Sequence, residues 1–378
     1  MSDEPNIQTH SGTINLGEIN SSNGILRISV KRSKKRFEYT LCGPGRWGLR
    51  EYQSQKFKAP IDTVLIELND LVENAYKQME GFKGTIEELR NREGCLVGLG
   101  RTICTLLFGE TLANHLLTIK AQITSGIILR SDEIIAPWEL ICLYDGENHD
   151  EKFLCEYGLF HELKTTVGES IQQFTLESIH RLIGDYYEPD WNLTENLSIE
   201  GLDIHDIAPN ELSLLETVRN WTFDALHVCC HAEDCSENAD HGQLLLSTNN
   251  KFESSTMTQP ALRNIIEAND ISKKGNNPIV FLNACESGLT KSRITQCTGW
   301  ARIFAQGRAA VFIGTAWRVR LNPANKYANE FYKSLSNGET VFQAVTAARA
   351  ATLENDGIID ATGLSYRVFG DPLACKIA

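Results

Sequence analysis

No apolar run in these 378 residues approaches the ~20 residues that a membrane-spanning helix needs. The opening Met1-Ser-Asp-Glu-Pro5 lacks the basic and apolar regions of a secretory signal. Position 2 is not the Gly that N-myristoylation requires. Positive charge is in deficit: 36 Lys and Arg against 49 Asp and Glu leave a formal net charge of −13, which speaks against nucleic acid as the main partner. No repeat recurs at tetratricopeptide or other solenoid spacing. The 11 cysteines are odd in number, and Cys104, Cys142, Cys229 and Cys297 sit inside apolar runs. With no sign of export they are expected to be reduced and mostly buried as small hydrophobes. These absences lead us to expect a cytoplasmic protein with no membrane attachment.

What is present is a globular composition, 42% hydrophobic and 22% charged, with length enough for one large domain or two medium ones. Two short apolar runs carry the chemistry. Asn277-Pro-Ile-Val-Phe-Leu-Asn-Ala-Cys-Glu-Ser-Gly-Leu289 reads as a buried strand that breaks into a turn at Cys285. Asp224-Ala-Leu-His-Val-Cys-Cys-His-Ala-Glu233 reads as another, expected to end at His231. Strands apolar on both faces belong to parallel sheets, and ligands bind past their carboxyl ends. A thiol needs a base or a positive neighbour to become a thiolate near neutral pH. His231 and Cys285, at the tips of adjacent parallel strands, would meet that need. Backbone N–H groups of Cys285 and Ala232, expected at sharp turns, are the oxyanion donors. His227 is expected on the His231 face as a buried, hydrogen-bonded support, with Asn283 and Glu286 as further supports.

The rest of the chain organises around that pair. A hairpin is expected from Ile25–Val30 and Phe37–Leu41, its basic tip (Lys31, Arg32, Lys34, Lys35, Arg36) a solvated end or a patch for an acidic partner. Helices are expected over 61–81 and 96–117. The Gly98-Leu-Gly-Arg101 within the second serves packing, because no strand precedes it as a dinucleotide loop requires. A strand at Gly126–Leu129, a turn or short helix at Pro137-Trp138, a helix around Thr175–Ile183 and a loop through Tyr186–Thr194 follow. Beyond residue 204 helices (211–220, 258–268, 298–306, 324–335, 340–353) alternate with strands, which predicts a mostly parallel sheet covered on both faces.

Cys229, Cys230, His231, Cys235 and His241 form a dense group that could suggest zinc. Structural zinc sites use pairs of ligands two to four residues apart, twice over, whereas Cys229 and Cys230 are adjacent and alternate faces. No metal or other cofactor is expected.

Leu226-His-Val-Cys-Cys-His231 and Val280-Phe-Leu-Asn-Ala-Cys-Glu-Ser-Gly288 together resemble the CHAT domain, a caspase- and separase-like cysteine peptidase family of clan CD. Ala136-Pro-Trp-Glu-Leu140, Gly314-Thr-Ala-Trp317, Phe331-Tyr-Lys-Ser-Leu335, Ala347-Ala-Arg349 and Phe369-Gly-Asp-Pro372 are similar to its other landmarks. The resemblance implies a caspase-like α/β fold, a mostly parallel sheet flanked by helices. Residues 1–120 would form an N-terminal α+β regulatory or docking part, 121–203 the N-terminal half of the CHAT-like region, and 204–378 the catalytic domain. It implies a His231–Cys285 dyad cleaving a protein substrate, under a regulatory protein partner, in a prokaryotic signalling, antiviral defence or cell-death role. A silent interaction scaffold is the alternative. Two departures stand out. The family usually has Gly where this chain has Ala232, and Gly permits backbone angles that Ala resists. Relatives often carry an acid after the Trp, where this chain reads Trp317-Arg-Val-Arg-Leu-Asn322. Cleavage after Arg or Lys is therefore not expected. Arg318 or Arg320 could pair with an acidic P1 side chain, an apolar P1 could use Trp317 and Leu321, or both arginines could simply be solvated.

Overall fold

The computed structural model describes residues 24–43, 49–54, 56–58, 60–79, 96–131, 136–162, 171–186, 196–233, 243–250, 253–271, 277–285, 293–316, 319–355, 358–359 and 361–377. Fourteen of the described strands form one sheet. They are β1 (Leu26–Ser33), β2 (Arg36–Cys42), β3 (Arg50–Gln53), β4 (Ile127–Ser131), β5 (Leu159–Glu162), β6 (Ser178–Ile183), β7 (Asp185–Tyr186), β8 (Asp203–Asp206), β9 (Ala225–Glu233), β10 (Gln243–Asn250), β11 (Glu253–Thr258), β12 (Ile279–Cys285), β13 (Val311–Thr315) and β14 (Tyr366–Gly370). The path across the sheet is β7-β10-β9-β12-β13-β14-β5-β4-β1-β2-β3; β6 also pairs with β9, β8 with β6 and β11 with β10. Pairing is mostly parallel, as expected. β14 pairs antiparallel with β13 and parallel with β5, and the β14–β5 contact joins a half built from residues before 163 to one built from residues after 177.

Eight helices cover the sheet among the described residues: α1 (Ile61–Met79), α2 (Leu96–Leu107), α3 (Gly109–Ile119), α4 (Glu211–Asn220), α5 (Gln259–Ala268), α6 (Arg293–Gln306), α7 (Leu321–Ser336) and α8 (Val341–Leu353). On β12, Val280 and Leu282 pack under α4, α5 and α6, while Ile279 and Phe281 pack under α7 and α8. That two-sided burial is why the strand reads as an unbroken apolar run rather than an alternating one. Local chemistry sets the ends. Thr258 caps α5, its Oγ1 accepting from the Ala261 N–H, with Pro260 in the first turn. Asn210 caps α4 in the same way, accepting from Ser213.

Two expectations fail for physical reasons. The single helix over 96–117 is two, bent by 116° at Gly109, whose φ of 72° is left-handed. The bend lets Phe108 stack on Trp138 at 6.2 Å in the core of the N-terminal half. The helix expected around Thr175–Ile183 is instead a short strand at Gln173–Phe174 followed by β6. Leu176, Ile179 and Leu182 have helix-like spacing. The segment nonetheless lies between β8 and β9, where sandwiching between two strands overrides the local period. Among the described residues no single helix is long and apolar enough to cross a membrane.

The two glycines of Gly98-Leu-Gly100 differ. A Cβ on Gly100 would lie 2.4 Å from the Leu140 carbonyl oxygen, so α2 packs directly on that backbone, whereas one on Gly98 would meet nothing within 4 Å. Gly100→Ala is expected to lower stability by about 1–3 kcal/mol through overpacking, and Gly98→Ala to raise it by up to about 1 kcal/mol. Urea midpoints of the two variants check the opposite signs.

Three of the landmark segments hold the two halves together. Arg367 on β14 donates from Nη2 to Ala136 O (2.7 Å) and Glu139 Oε2 (2.9 Å), and all three lie in the interior. His161 on β5 donates from Nε2 to Glu139 Oε1 at 2.6 Å. Burial holds the imidazole below its ordinary value despite the carboxylate. Arg349 on α8 donates to Cys155 O (2.7 Å) and Tyr366 O (2.9 Å).

Candidate active site

The register of β9 against β12 pairs Ala225 with Ile279 and continues in step to Cys229 with Asn283 and His231 with Cys285. Parallel strands lie about 4.8 Å apart, and paired positions share a face of the sheet. His231 and Cys285 are therefore register partners on one rung, near the carboxyl end of both strands. His227 and Phe281 form the rung two steps below and stack at 4.9 Å. His227 is fully buried, and its Nδ1 lies 3.4 Å from the Tyr332 hydroxyl. Asn283 is also fully buried. Its Oδ1 accepts from the Tyr366 hydroxyl at 3.1 Å, and its Nδ2 has no partner among the described residues. Thr315 Oγ1 on β13 donates to Ala284 O at 3.1 Å, tying the next strand to the end of β12.

The strand carrying His231 does not stop there, contrary to expectation. β9 runs on to Glu233 because its neighbour changes. Over Ala225–Cys229 it pairs in parallel with β6, and over His231–Glu233 it pairs antiparallel with β10, so Ala232 faces Leu244 across a ladder rather than sitting in a turn. Cys285 likewise is the last residue of β12. Among the described residues, left-handed backbone outside glycine occurs at Trp221, Asp270 and Arg308. Ala232 is not one of them, so this backbone does not call for the relatives' Gly.

At the change of neighbour stands a residue that sequence reading passed over. Tyr186 on β7 accepts the His231 backbone N–H at 2.8 Å and donates to Leu245 O at 2.8 Å. Its ring lies 4.6 Å from the imidazole, centroid to centroid, at 53°. Tyr186 sits in a stretch that reads as loop, 45 residues upstream of His231. No local pattern marks it.

Of the other expected site residues, Glu286, Trp317 and Arg318 lie outside the described residues. Arg320 is exposed as the N-cap of α7, its N–H donating to Thr362 Oγ1 at 3.3 Å, and Leu321 is the first residue of that helix. Cys229 and Cys230 are buried on opposite faces of β9, and Cys235 and His241 lie outside the described residues. The buried thiols elsewhere are poor nucleophiles: burial pushes both Cys104 and Cys155 up to about 12.

No curated protein sequence matches this chain. Among solved structures, the Arg-specific cysteine proteinase gingipain R is similar with 10% identity and a TM-score of 0.42, over 83% of this chain and 76% of that one. The complex of Porphyromonas gingivalis RgpB pro- and mature domains gives 10% and 0.38, over 82% and 76%. The Saccharomyces cerevisiae separase–securin complex gives 12% and 0.44 over 93% of this chain, which spans only 30% of the separase chain. Residues 203–362, the stretch that holds both β9 and β12, match the family model of the CHAT domain.

Proposed function

We propose that this chain is a cysteine endopeptidase in which His231 and Cys285 cut a protein substrate. The observation that carries the reading is the shared rung of the two residues at the carboxyl ends of adjacent parallel strands, inside the CHAT match. His231 takes the Cys285 proton, and the thiolate attacks the scissile carbonyl carbon. The tetrahedral oxyanion is met by backbone N–H groups of Cys285 and Ala232. The intermediate collapses to a thioester as the imidazolium gives its proton to the leaving amine. Water, losing a proton to His231, then attacks the thioester; the new carboxyl leaves and the thiol is restored. His227, Asn283 and Glu286 support the strand tips. Arg320 and Leu321, with Trp317 and Arg318, are the candidates for reading P1.

The same resemblance extends the proposal to control by a protein partner in a prokaryotic defence or cell-death pathway, with residues 1–120 as the docking part. Supporting this, β1 to β3 build one margin of the sheet, where a bound partner can act on the strands.

A thiol-reactive peptide probe tests the enzyme. Mass spectrometry is expected to find one adduct, on Cys285, lost in His231→Ala, with stronger labelling in a lysate of the producing cell than in the isolated chain. Probe scattered over other cysteines, or none on Cys285 in either setting, leaves the silent scaffold as the reading.

A further inference from the structure

We propose that Tyr186 is the positioning residue for His231, fixing the imidazole in the orientation from which it exchanges a proton with Cys285. The inference rests on reading those two residues as a peptidase dyad.

Where β9 passes from β6 to β10, a strand would ordinarily lose a ladder bond. His231 and Leu245 are register partners across the new contact, yet the His231 N–H goes to the Tyr186 hydroxyl, and that hydroxyl donates to Leu245 O. The phenol oxygen thus stands in the ladder as an inserted rung. A hydroxyl can do this because a single atom both donates and accepts. Tyr186 is 3% exposed and His231 8%, so water has little access to replace it. The same side chain lays its ring beside the imidazole, which restricts rotation of the histidine. One residue therefore fixes both the main chain and the side chain of the base.

The local sequence is built for this reach. A Cβ on Gly184 would come within 2.2 Å of the Tyr186 hydroxyl oxygen, so only glycine lets the phenol fold back. The Gly184 N–H donates to Cys229 O at 2.8 Å, the last bond before β6 gives way. Gly184 and Tyr186 form a clasp over the end of β9.

Tyr186→Phe keeps the ring and removes the inserted hydroxyl; Tyr186→Leu removes both. Two measurements separate the roles. Capture of Cys285 by the peptide probe gives a maximal rate and a half-saturating concentration. Histidine-selective 1H–15N NMR in a Cys285→Ala background gives the His231 tautomer. Tyr186→Phe is expected to lower the maximal capture rate about tenfold, with half-saturation within about twofold. Tyr186→Leu is expected to lower the rate about 100-fold and to mix the two tautomers of the His231 ring. A residue that merely filled space would change the melting temperature and neither of these readings. Folded variants with the parent's rate and tautomer overturn the proposal. The NMR reads His231 whether or not the chain cleaves anything. A failure of the peptidase reading would show as an unlabelled Cys285 with the Tyr186 effect on His231 intact.

Discussion

His231→Ala is expected to lower the rate of peptide cleavage by about 10^3 and to move the reactivity of Cys285 to alkaline pH. In the proposed dyad the base contributes in two ways. It raises the thiolate fraction before attack, and it returns the proton to the leaving amine afterwards. A cysteine with neither base nor cationic neighbour titrates near 8.5, so at pH 6.5 only about 1% is thiolate. Alkylation of Cys285 by iodoacetamide at pH 6.5 is therefore expected to be about 100-fold slower in the variant, with the difference closing above pH 9. Cys285→Ala should leave no cleavage. The pH profile is the sharper measurement, because it does not depend on knowing the substrate. Parallel profiles for parent and variant would falsify the assignment of His231 as the activating base.

A comparably large effect is expected far from the site. Arg367→Leu leaves the Glu139 carboxylate, 1% exposed, without its guanidinium and leaves Ala136 O without its donor. Breaking one side of a buried pair costs about 3–5 kcal/mol. Urea denaturation at pH 7 should show that loss, and the double variant Arg367→Leu with Glu139→Leu should recover much of it, since removing both charges can be nearly neutral. The pair also sets an acid limit. Burial pushes Glu139 up, but Arg367 and then His161 outweigh it and hold the carboxyl at about 2, against an ordinary 4.5. A carboxyl depressed in the folded state stabilises the protein above its unfolded value, and that stability is lost as the pH falls through its folded value. The contribution, about 3 kcal/mol as an order of magnitude, should be complete above pH 4.5 and disappear towards pH 2. In Glu139→Gln this part of the acid transition should be missing.

What could be read from the sequence was what each segment states for itself. β9 and β12 announce themselves because burial on both faces leaves an unbroken apolar run, and His231 and Cys285 stand where those runs meet polar residues. The hairpin of β1 and β2 alternates plainly, since its partner-free face is wet. Pairings chosen by tertiary structure were not readable. β6 carries helix-like spacing and becomes a strand because two others enclose it. Arg367 and Glu139 are separated by 228 residues, and nothing near either announces the other. The landmark segments around Trp138, Arg349 and Phe369 could be recognised as a set. Their task, joining the halves of the sheet, becomes visible only when the strands are in order. Tyr186 stayed hidden for a similar reason: its importance lies in a change of strand neighbours that no local pattern encodes.

The position of β14 has a consequence for how the protein is made. This strand, formed by residues 366–370, is the bridge between β13 and β5, and its contact with His161 spans roughly 200 residues of chain. While the chain is still on the ribosome, the portion through β13 can assemble as two separate sheets with facing open edges. Neither can be sealed until the bridging strand emerges. Such long-range closure is slow and exposes pairing edges while it waits. Nascent chains are thus vulnerable to chaperone capture or aggregation late in synthesis, and a premature stop ahead of Tyr366 is expected to yield two unjoined fragments of sheet rather than one shortened sheet.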